Sequence, residues 1–222
     1  MGSAFAIQPR PRPDQAASVE SRSGQRENVS LSELVPSSYL EPLKIEEIFG
    51  RHAPLEVDLG CGDGTLIATL AARHPHRNFL GIERLAGRVR SACHKAKDPN
   101  VRIVRIDTAY AVRYLLPAGS VAVFYLRFPD PWPKRRHHRR RIVKGEFLDA
   151  IIRALAPGGL LRIATDEKDY FTQIEEAARR EARFSLATDL NGELPPTTFE
   201  KRFLAAAQPI YRLDLRKTSP DR

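Results

Sequence analysis

The chain has 222 residues and a formal net charge of +9. Hydrophobic residues make up 42% of it, which is enough for a packed core and excludes a globally disordered chain. No apolar run approaches the ~20 residues of a membrane span, and no apolar signal core stands at the N-terminus, so we expect a cytoplasmic protein without membrane contact. The two cysteines, Cys61 and Cys93, lack the spacing of a metal site, so we expect reduced thiols and no metal.

Charge and composition divide the chain unevenly. Residues 1–30 are rich in Pro, Ser, Arg and Gln and hold few large apolar side chains, so we predict a flexible tail there and a single domain over residues 31–222. Residues 134–144 contain seven Lys or Arg residues, two His and no acid. The excess positive charge is therefore a local patch, which indicates a polyanionic partner.

Strands and helices alternate along most of the chain. The predicted strands are residues 55–59, 78–82, 101–106, 121–128 and 160–165, and the predicted helices are residues 65–73, 86–97, 109–116, 142–155 and 167–180. Residues 184–187 and 210–215 are predicted as the last two strands. This order predicts an α/β, Rossmann-like fold, with a mostly parallel central sheet and helices on both faces.

Acidic residues stand near the carboxyl end of each of the five predicted parallel strands. Because these ends share one edge of a parallel sheet, and ligands bind at that edge, we predict a binding site there. The acids are Asp58, Glu83, Asp107, Asp130 and Asp166.

A glycine loop, residues 60–64 (Gly-Cys-Gly-Asp-Gly), follows the first predicted strand. The dinucleotide fingerprint G-x-G-x-x-G fails, because Thr65 stands at its third glycine. Asp58 and Asp63 would repel a pyrophosphate but suit the ammonium and sulfonium cations of S-adenosylmethionine. We therefore predict that Asp58, Gly60 and Gly62 bind S-adenosylmethionine rather than a dinucleotide, although a nicotinamide-dependent oxidoreductase stays open as an alternative.

Two further acids fit the same cofactor. Glu83 ends the second predicted strand, about twenty residues after the loop, where a carboxylate can accept hydrogen bonds from both ribose hydroxyls. Asp107 ends the third predicted strand, where it can accept a hydrogen bond from the adenine amino group.

The segment after the fourth predicted strand, residues 128–132, reads Phe-Pro-Asp-Pro-Trp. Two prolines fix the backbone around Asp130, which can then point into the cleft, and Trp132 offers a face for a flipped base. Guanine N7 can attack a sulfonium methyl without a strong base, and a fixed carboxylate would stabilise the cationic product. An amine target suits the same arrangement, so these residues alone do not choose the base.

The basic run, residues 134–141, follows directly and lies between a predicted strand and a predicted helix. A run of like charges is commonly a solvated face, but this one adjoins the predicted cleft. We expect Lys134, Arg139, Arg140 and Arg141 to contact the phosphates of a nucleic acid.

Together these segments resemble bacterial tRNA (guanine-N7-)-methyltransferases of the TrmB type over about residues 31–217. The matching segments are residues 60–64, 81–83 (Gly-Ile-Glu), 127–132, 134–141, 164–166 (Ala-Thr-Asp) and 197–200 (Thr-Thr-Phe-Glu). The resemblance implies a class I S-adenosylmethionine-dependent methyltransferase fold. It also implies methyl transfer to N7 of the guanine at position 46 of the tRNA variable loop.

By position, the resemblance assigns cofactor binding to Asp58, Glu83, Asp107 and Asp130, with Asp130 also the proposed catalytic residue. It assigns substrate binding to Lys134, Asp166, Thr197, Thr198, Phe199 and Glu200. From the residues alone, Thr198 could simply cap a short helix. A non-enzymatic RNA-binding protein on this scaffold is the second alternative, and either a monomer or a homodimer is compatible with the sequence.

The sequence departs from the family pattern at two positions. Asp58 stands where the family often has Glu, and its shorter arm can shift the cofactor contact. Arg127 stands where we expect an apolar residue, and the sequence leaves open whether it contacts RNA or points to solvent.

Overall fold

A computed structural model describes residues 32–190 and 194–218. Within them the strands are β1 (Glu33–Leu34), β2 (Leu55–Leu59), β3 (Asn78–Glu83), β4 (Val101–Arg105), β5 (Val121–Arg127), β6 (Leu155–Thr165), β7 (Phe184–Leu186) and β8 (Tyr211–Lys217). The α-helices are α1 (Ile45–Phe49), α2 (Thr65–Arg73), α3 (Ala86–Lys95), α4 (Thr108–Tyr110), α5 (Gly145–Ala154), α6 (Lys168–Arg179) and α7 (Thr198–Ala205). A π-helical turn, Ala111–Leu115, continues α4, and a 3-10 helix spans Arg135–Arg140.

All the strands belong to one sheet, in the order β1-β4-β3-β2-β5-β6-β8-β7. The pairs from β1 to β6 are parallel, whereas β8 runs antiparallel to β6 and β7 runs antiparallel to β8. From β2 the chain first adds β3 and β4 on one side, and it then crosses to add β5 and β6 on the other side. The carboxyl ends of β2 and β5 therefore flank the switch point, where α/β sheets bind ligands. The predicted Rossmann-like architecture is confirmed.

Apolar side chains cover both faces of the sheet, which is why β2 and β3 are buried along their whole length. On one face, Leu66 and Ile67 of α2 and Val89 of α3 belong to one buried cluster. On the other face, Ile151 of α5 and Tyr170 of α6 belong to a second one. The two layers hold the sheet rigid, so the carboxyl ends of the strands are fixed relative to one another.

Some predicted boundaries differ from those observed. The strand predicted from residue 160 already begins at Leu155 and pairs with β5 through a register shift between Val121 and Val123. The helix predicted from residue 142 begins at Gly145, and the Val143 amide before it donates to the Tyr170 hydroxyl at 3.2 Å. The predicted tail, residues 1–30, lies outside the described residues. No helix in the described part of the chain is long and apolar enough to cross a bilayer.

Candidate active site

Two adjoining clefts open at the carboxyl edge of the sheet. The larger, of about 1010 Å³, is lined by Glu83, Asp107 and Asp130 among others. The smaller, of about 270 Å³, is lined by Asp58, Asp130 and Asp166 among others. The fold thus brings together the five acids that the sequence placed at strand ends, and Asp130 stands where the two clefts meet.

The glycine loop borders both clefts: Gly60 lines the larger and the smaller one, and residues 61–63 line the smaller one. Gly60, Gly62 and Gly64 all have positive φ, at 77°, 57° and 77°, which side-chain-bearing residues rarely adopt. At Gly64 a Cβ would also lie 2.7 Å from the Cα of Ala92 in α3, so this position combines a left-handed backbone with close helix packing. The amides of Gly60 and Cys61 both donate to the Ile82 carbonyl at 2.9 Å, which fixes the loop to the end of β3.

Glu83 is the most firmly held acid of the larger cleft. Its side chain is 5% exposed, and its two oxygens accept from the backbone amides of Leu85 at 2.8 Å and Gly62 at 3.2 Å. Each carboxylate oxygen has a second lone pair, so Glu83 can still accept hydrogen bonds from a ligand. Asp107 is exposed, and its Oδ1 accepts from the Tyr110 amide at 3.0 Å as the N-cap of α4.

Asp58 lines the smaller cleft and is 3% exposed. Burial raises the pKa of its carboxyl to about 7, the nearby Glu83 carboxylate adds to this rise, and the Arg127 guanidinium opposes it. A cationic ligand group would favour the ionised form of Asp58.

Asp63, which the sequence suggested as a second anion facing the cofactor, is instead paired within the protein. Its Oδ2 accepts from Lys95 Nζ at 2.5 Å and from the Thr198 hydroxyl at 2.9 Å. Partial burial alone would raise the pKa of Asp63, but the hydrogen bonds from Lys95, Thr198 and Thr65 lower it to about 2. Asp63 therefore anchors the glycine loop to α3 and α7.

The Pro-Asp-Pro segment is bracketed by two strained residues. Phe128 has φ 52° and Trp132 has φ 45°, in the left-handed region that bulky side chains rarely adopt. The Phe128 amide donates to the Ala164 carbonyl at 2.7 Å, and its ring packs on Phe203 with centroids 5.2 Å apart. These contacts hold the loop so that Asp130, 71% exposed, lines both clefts, with its Oδ2 4.0 Å from Arg84 Nη2.

Trp132 lines the larger cleft, as a base-stacking role requires. Its ring already has a cationic neighbour, because the Arg140 guanidinium lies 4.8 Å from the ring centroid. The His137 ring approaches at 5.9 Å in an edge-on arrangement. A base can use the Trp132 ring only on a face that these neighbours leave open.

The basic run forms the 3-10 helix and is mostly exposed, with Lys134, Arg139 and Arg140 on the surface. Arg141 requires a correction, because its side chain is only 1% exposed. Its guanidinium donates at 2.7 Å to the Pro131 carbonyl, Gln173 and Asp169. Arg141 therefore joins the basic run to the Pro-Asp-Pro segment and α6, and its guanidinium is buried in these contacts instead of being presented at the surface.

Glu200, assigned to substrate binding by resemblance, also requires a correction. Its side chain is 4% exposed, and its oxygens accept from Arg127 Nη2 and Arg212 Nη2, both at 2.6 Å. Thr197, rather than Thr198, is the N-cap of α7, in a capping box that Glu200 completes. Arg127 does not point to solvent, since its side chain is 6% exposed and pairs with Glu200.

The other residues of this motif and Asp166 lie at the smaller cleft. Thr197, Thr198, Phe199 and Asp166 all line it, and Phe199 is 45% exposed. The Arg88 guanidinium lies 5.9 Å from the Phe199 ring centroid, so α3 and α7 meet across the cleft mouth.

Three cations of the larger cleft were not predicted from the sequence. They are Arg84, Arg88 and Arg113, whereas Lys144, which also lines this cleft, belongs to the basic patch of residues 134–144. Arg84 could have been predicted, because it directly follows Glu83 at the end of β3 and therefore lies at the ligand-binding edge of the sheet. Because the others are isolated in sequence, only the fold shows that they continue the basic surface.

A Rossmann-like sheet with this glycine loop and these strand-end acids defines the class I methyltransferases. A family model described as "Putative methyltransferase" matches residues 52–213. The tRNA (guanine-N(7)-)-methyltransferase of Alkalilimnicola ehrlichii is 37% identical over 185 residues, which cover 80% of this chain and 78% of that one. The enzyme of the same name from Nitrosomonas europaea is 35% identical over 186 residues, covering 81% and 83%. The chain belongs to this tRNA (guanine-N7-)-methyltransferase family, which excludes the oxidoreductase alternative.

Solved structures agree on the fold. The 16S rRNA methyltransferase KamB superposes with a TM-score of 0.57 at 19% identity, covering 81% of this chain and 95% of that one. A variant of the 16S rRNA (adenine(1408)-N(1))-methyltransferase from Catenulisporales acidiphilia, solved with its cosubstrate S-adenosylmethionine, gives a TM-score of 0.56 at 15% identity, covering 87% and 97%. At these identities the likeness concerns the fold alone.

Proposed function

We propose that this protein transfers the methyl group of S-adenosylmethionine to N7 of a guanine in tRNA, at position 46 of the variable loop. The observation that carries this proposal is the meeting of the two clefts at Asp130, beside an exposed basic segment. The names of the relatives that cover most of the chain support the choice of guanine N7 in tRNA.

The residues of the two clefts fit S-adenosylmethionine, which supplies an electrophilic methyl group when bound. Glu83 retains lone pairs for the ribose hydroxyls, and Asp107 lines the same cleft for the adenine amino group. Asp58, buried in the smaller cleft, provides a counter-charge for a cation. The backbone of Gly60 lies between them, since it lines both clefts.

Asp130 has the features expected of a residue that acts on the guanine. It is exposed to both clefts, it is held between two prolines, and its only ion-pair partner among the described residues is Arg84 at 4.0 Å. A carboxylate fixed there can accept from a guanine N–H and orient the ring. It also stabilises the positive charge that N7 methylation places on the purine. No strong base is required, because N7 carries a lone pair and no proton.

The exposed basic segment supplies the RNA-binding surface in this proposal. Lys134, Arg139 and Arg140 point their charges to solvent beside the cleft, and the cations lining the larger cleft extend that surface inward. Phosphate contacts of this kind fix the register of a nucleic acid without reading its bases. The geometry of the cleft then has to select the guanine.

The proposal is tested by incubating the pure protein with an unmodified tRNA transcript and methyl-labelled S-adenosylmethionine. We expect one methyl group per tRNA, mapped to position 46 by cleavage at 7-methylguanosine. A transcript with 7-deazaguanosine at position 46 is the matched control, because it lacks only the attacking nitrogen, and it should accept no label.

Label in the 7-deaza transcript would show that another atom is the acceptor. Binding of tRNA without any transfer would favour the non-enzymatic RNA-binding alternative.

A further inference from the structure

Arg127 is a buried cation that no function discussed so far uses. Its side chain is 6% exposed, yet the residue lines both clefts. Its Nη2 donates to Glu200, whereas its Nε is buried without a hydrogen-bond partner among the described residues. A buried N–H without an acceptor costs about 1–3 kcal/mol, so an anionic ligand group beside this guanidinium would be favoured.

The charges around Arg127 leave an excess of positive charge. Glu200 is the shared partner of Arg127 and Arg212, so one carboxylate faces two guanidinium groups. Asp58 also lies close enough to Arg127 for their charges to interact, and a ligand ammonium group would pair with the Asp58 carboxylate. Because Glu200 is shared between two guanidinium groups, Arg127 has capacity for one further anion.

The smaller cleft has the size and the polarity of an amino-acid site. Its volume of about 270 Å³ corresponds to roughly nine waters. This space easily holds an aliphatic amino acid, whereas a nucleoside would fill it completely. Asp58 and Arg127 line this cleft on neighbouring strands, because Asp58 pairs in register with Tyr125, two residues before Arg127. A carboxylate and a guanidinium on one face match an ammonium and a carboxylate on one ligand.

We propose that Arg127 binds the carboxylate of the methionine part of S-adenosylmethionine, while Asp58 binds its ammonium group. This inference rests on the proposed function, since it takes S-adenosylmethionine as the cofactor. Glu200 is then a positioning residue, which holds Arg127 through Nη2 and is itself held by Arg212. The two positions at which the sequence departs from the family pattern, Asp58 and Arg127, thus act on the ammonium and the carboxylate of one ligand.

The experiment compares two ligands that differ only in the carboxylate. Calorimetry measures the Kd of S-adenosylhomocysteine and of its decarboxylated analogue, 5′-deoxy-5′-(3-aminopropylthio)adenosine, with the full-length protein. We expect the unmodified protein to prefer S-adenosylhomocysteine by about 10- to 100-fold, as a charge-assisted hydrogen bond in a buried site predicts. In Arg127→Met the two ligands should bind equally, and Arg127→Lys should restore part of the preference.

Arg162→Met is the matched control, because Arg162 forms a half-buried ion pair with Asp214 on the same sheet but lines neither cleft. It should keep the full preference. If Arg127→Met does not fold, Arg127→Gln with Glu200→Gln removes both charges together, and the same loss of preference is expected.

Equal affinity of the two ligands for the unmodified protein would overturn the role of Arg127 without any variant. A preference that survives in Arg127→Met would overturn it as well. If the unmodified protein binds neither ligand, the proposed function itself fails, and this result is distinct from the other two.

Discussion

The hydroxyl of Thr198 donates to the carboxylate of Asp63 at 2.9 Å, and this bond joins the first turn of α7 to the glycine loop across 135 residues of sequence. Thr198 also lies 3.1 Å from the Thr65 hydroxyl, at the start of α2. Helix α7 is therefore attached to the glycine loop, which borders both clefts.

Thr198→Val should loosen this fastening while keeping the size of the side chain. We expect a decrease of about 1 kcal/mol in unfolding free energy, because the bond is half-exposed, and a several-fold weaker Kd for S-adenosylhomocysteine. Thermal unfolding and calorimetry measure the two effects. Thr172→Val is the control, since its exposed hydroxyl donates to the Lys168 carbonyl in α6, far from the glycine loop in sequence. Equal effects of the two variants on the Kd would contradict a link between α7 and the loop.

Asp130→Ala should remove most of the turnover and little of the stability. Because the carboxylate is 71% exposed and its one ion-pair partner within residues 32–190 and 194–218, Arg84, is itself exposed, its removal leaves no buried charge without a partner. We expect kcat for tRNA methylation to fall by about 10²- to 10³-fold, as for other groups that stabilise a developing charge. Asp189→Ala is the control: it is 72% exposed, also pairs with an arginine, Arg216, and lies outside both clefts. Near-normal turnover in Asp130→Ala would refute the catalytic role.

The affinity for S-adenosylhomocysteine should depend on pH through Asp58. Its pKa is raised to about 7 in the free protein, and the ligand ammonium favours the ionised carboxylate. Below pH 7 the carboxyl must lose a proton to bind, so affinity should fall by up to about tenfold per pH unit and level off above pH 7. Calorimetry in buffers of different ionisation enthalpy should detect the released proton. In Asp58→Asn this pH dependence should disappear, and its persistence there would assign it to another group.

The same carboxyl should lower the stability of the folded protein at high pH. Its pKa is above the ordinary value of 3.8, so the unfolded chain ionises first and stability decreases as pH rises from about 4 to about 7. At pH 8 the decrease is on the order of 4 kcal/mol. Asp58→Asn should therefore raise Tm more at pH 8 than at pH 4. An equal change at both pH values would contradict the raised pKa.

The arginines of the basic run should separate into two groups. The double variant Arg139→Ala, Arg140→Ala removes exposed charges, so KM for tRNA should rise. The slope of log K for tRNA binding against log salt concentration should become shallower by about 0.7–0.9 for each phosphate that is no longer neutralised. Arg141→Ala removes a buried side chain with three hydrogen bonds, so it should cost about 2–3 kcal/mol of stability, or roughly 4–12 °C in Tm.

Melting curves and salt titrations distinguish the two groups. A normal Tm for Arg141→Ala, together with a raised KM for tRNA, would return Arg141 to the RNA-binding surface.

The sequence predicts the part of the site that is built from the alternating strands and helices. The strand Leu55–Leu59 and the helix Thr65–Arg73 match the predicted bounds, because an apolar run, a glycine loop and helical spacing are all local signals. The cap of α7 was placed one residue too late, at Thr198, although Thr197 and Glu200 have the spacing of a capping box.

Pairings between distant charges could not be predicted in the same way. Arg127 and Glu200 lie 73 residues apart, and no local sequence pattern indicates that the two side chains form a buried ion pair. Arg141 was misassigned for a related reason: within a run of cations, only the position of Asp169 and Gln173 on α6 decides which one turns inward.

The hydrogen bond from Arg141 to the Pro131 carbonyl has a mechanical consequence. It fastens the cationic stretch that would grip the polymer to the backbone directly after the reactive carboxylate. We therefore expect the two segments to move together when RNA docks, so that the distance from an anchored phosphate to the reacting atom stays nearly constant.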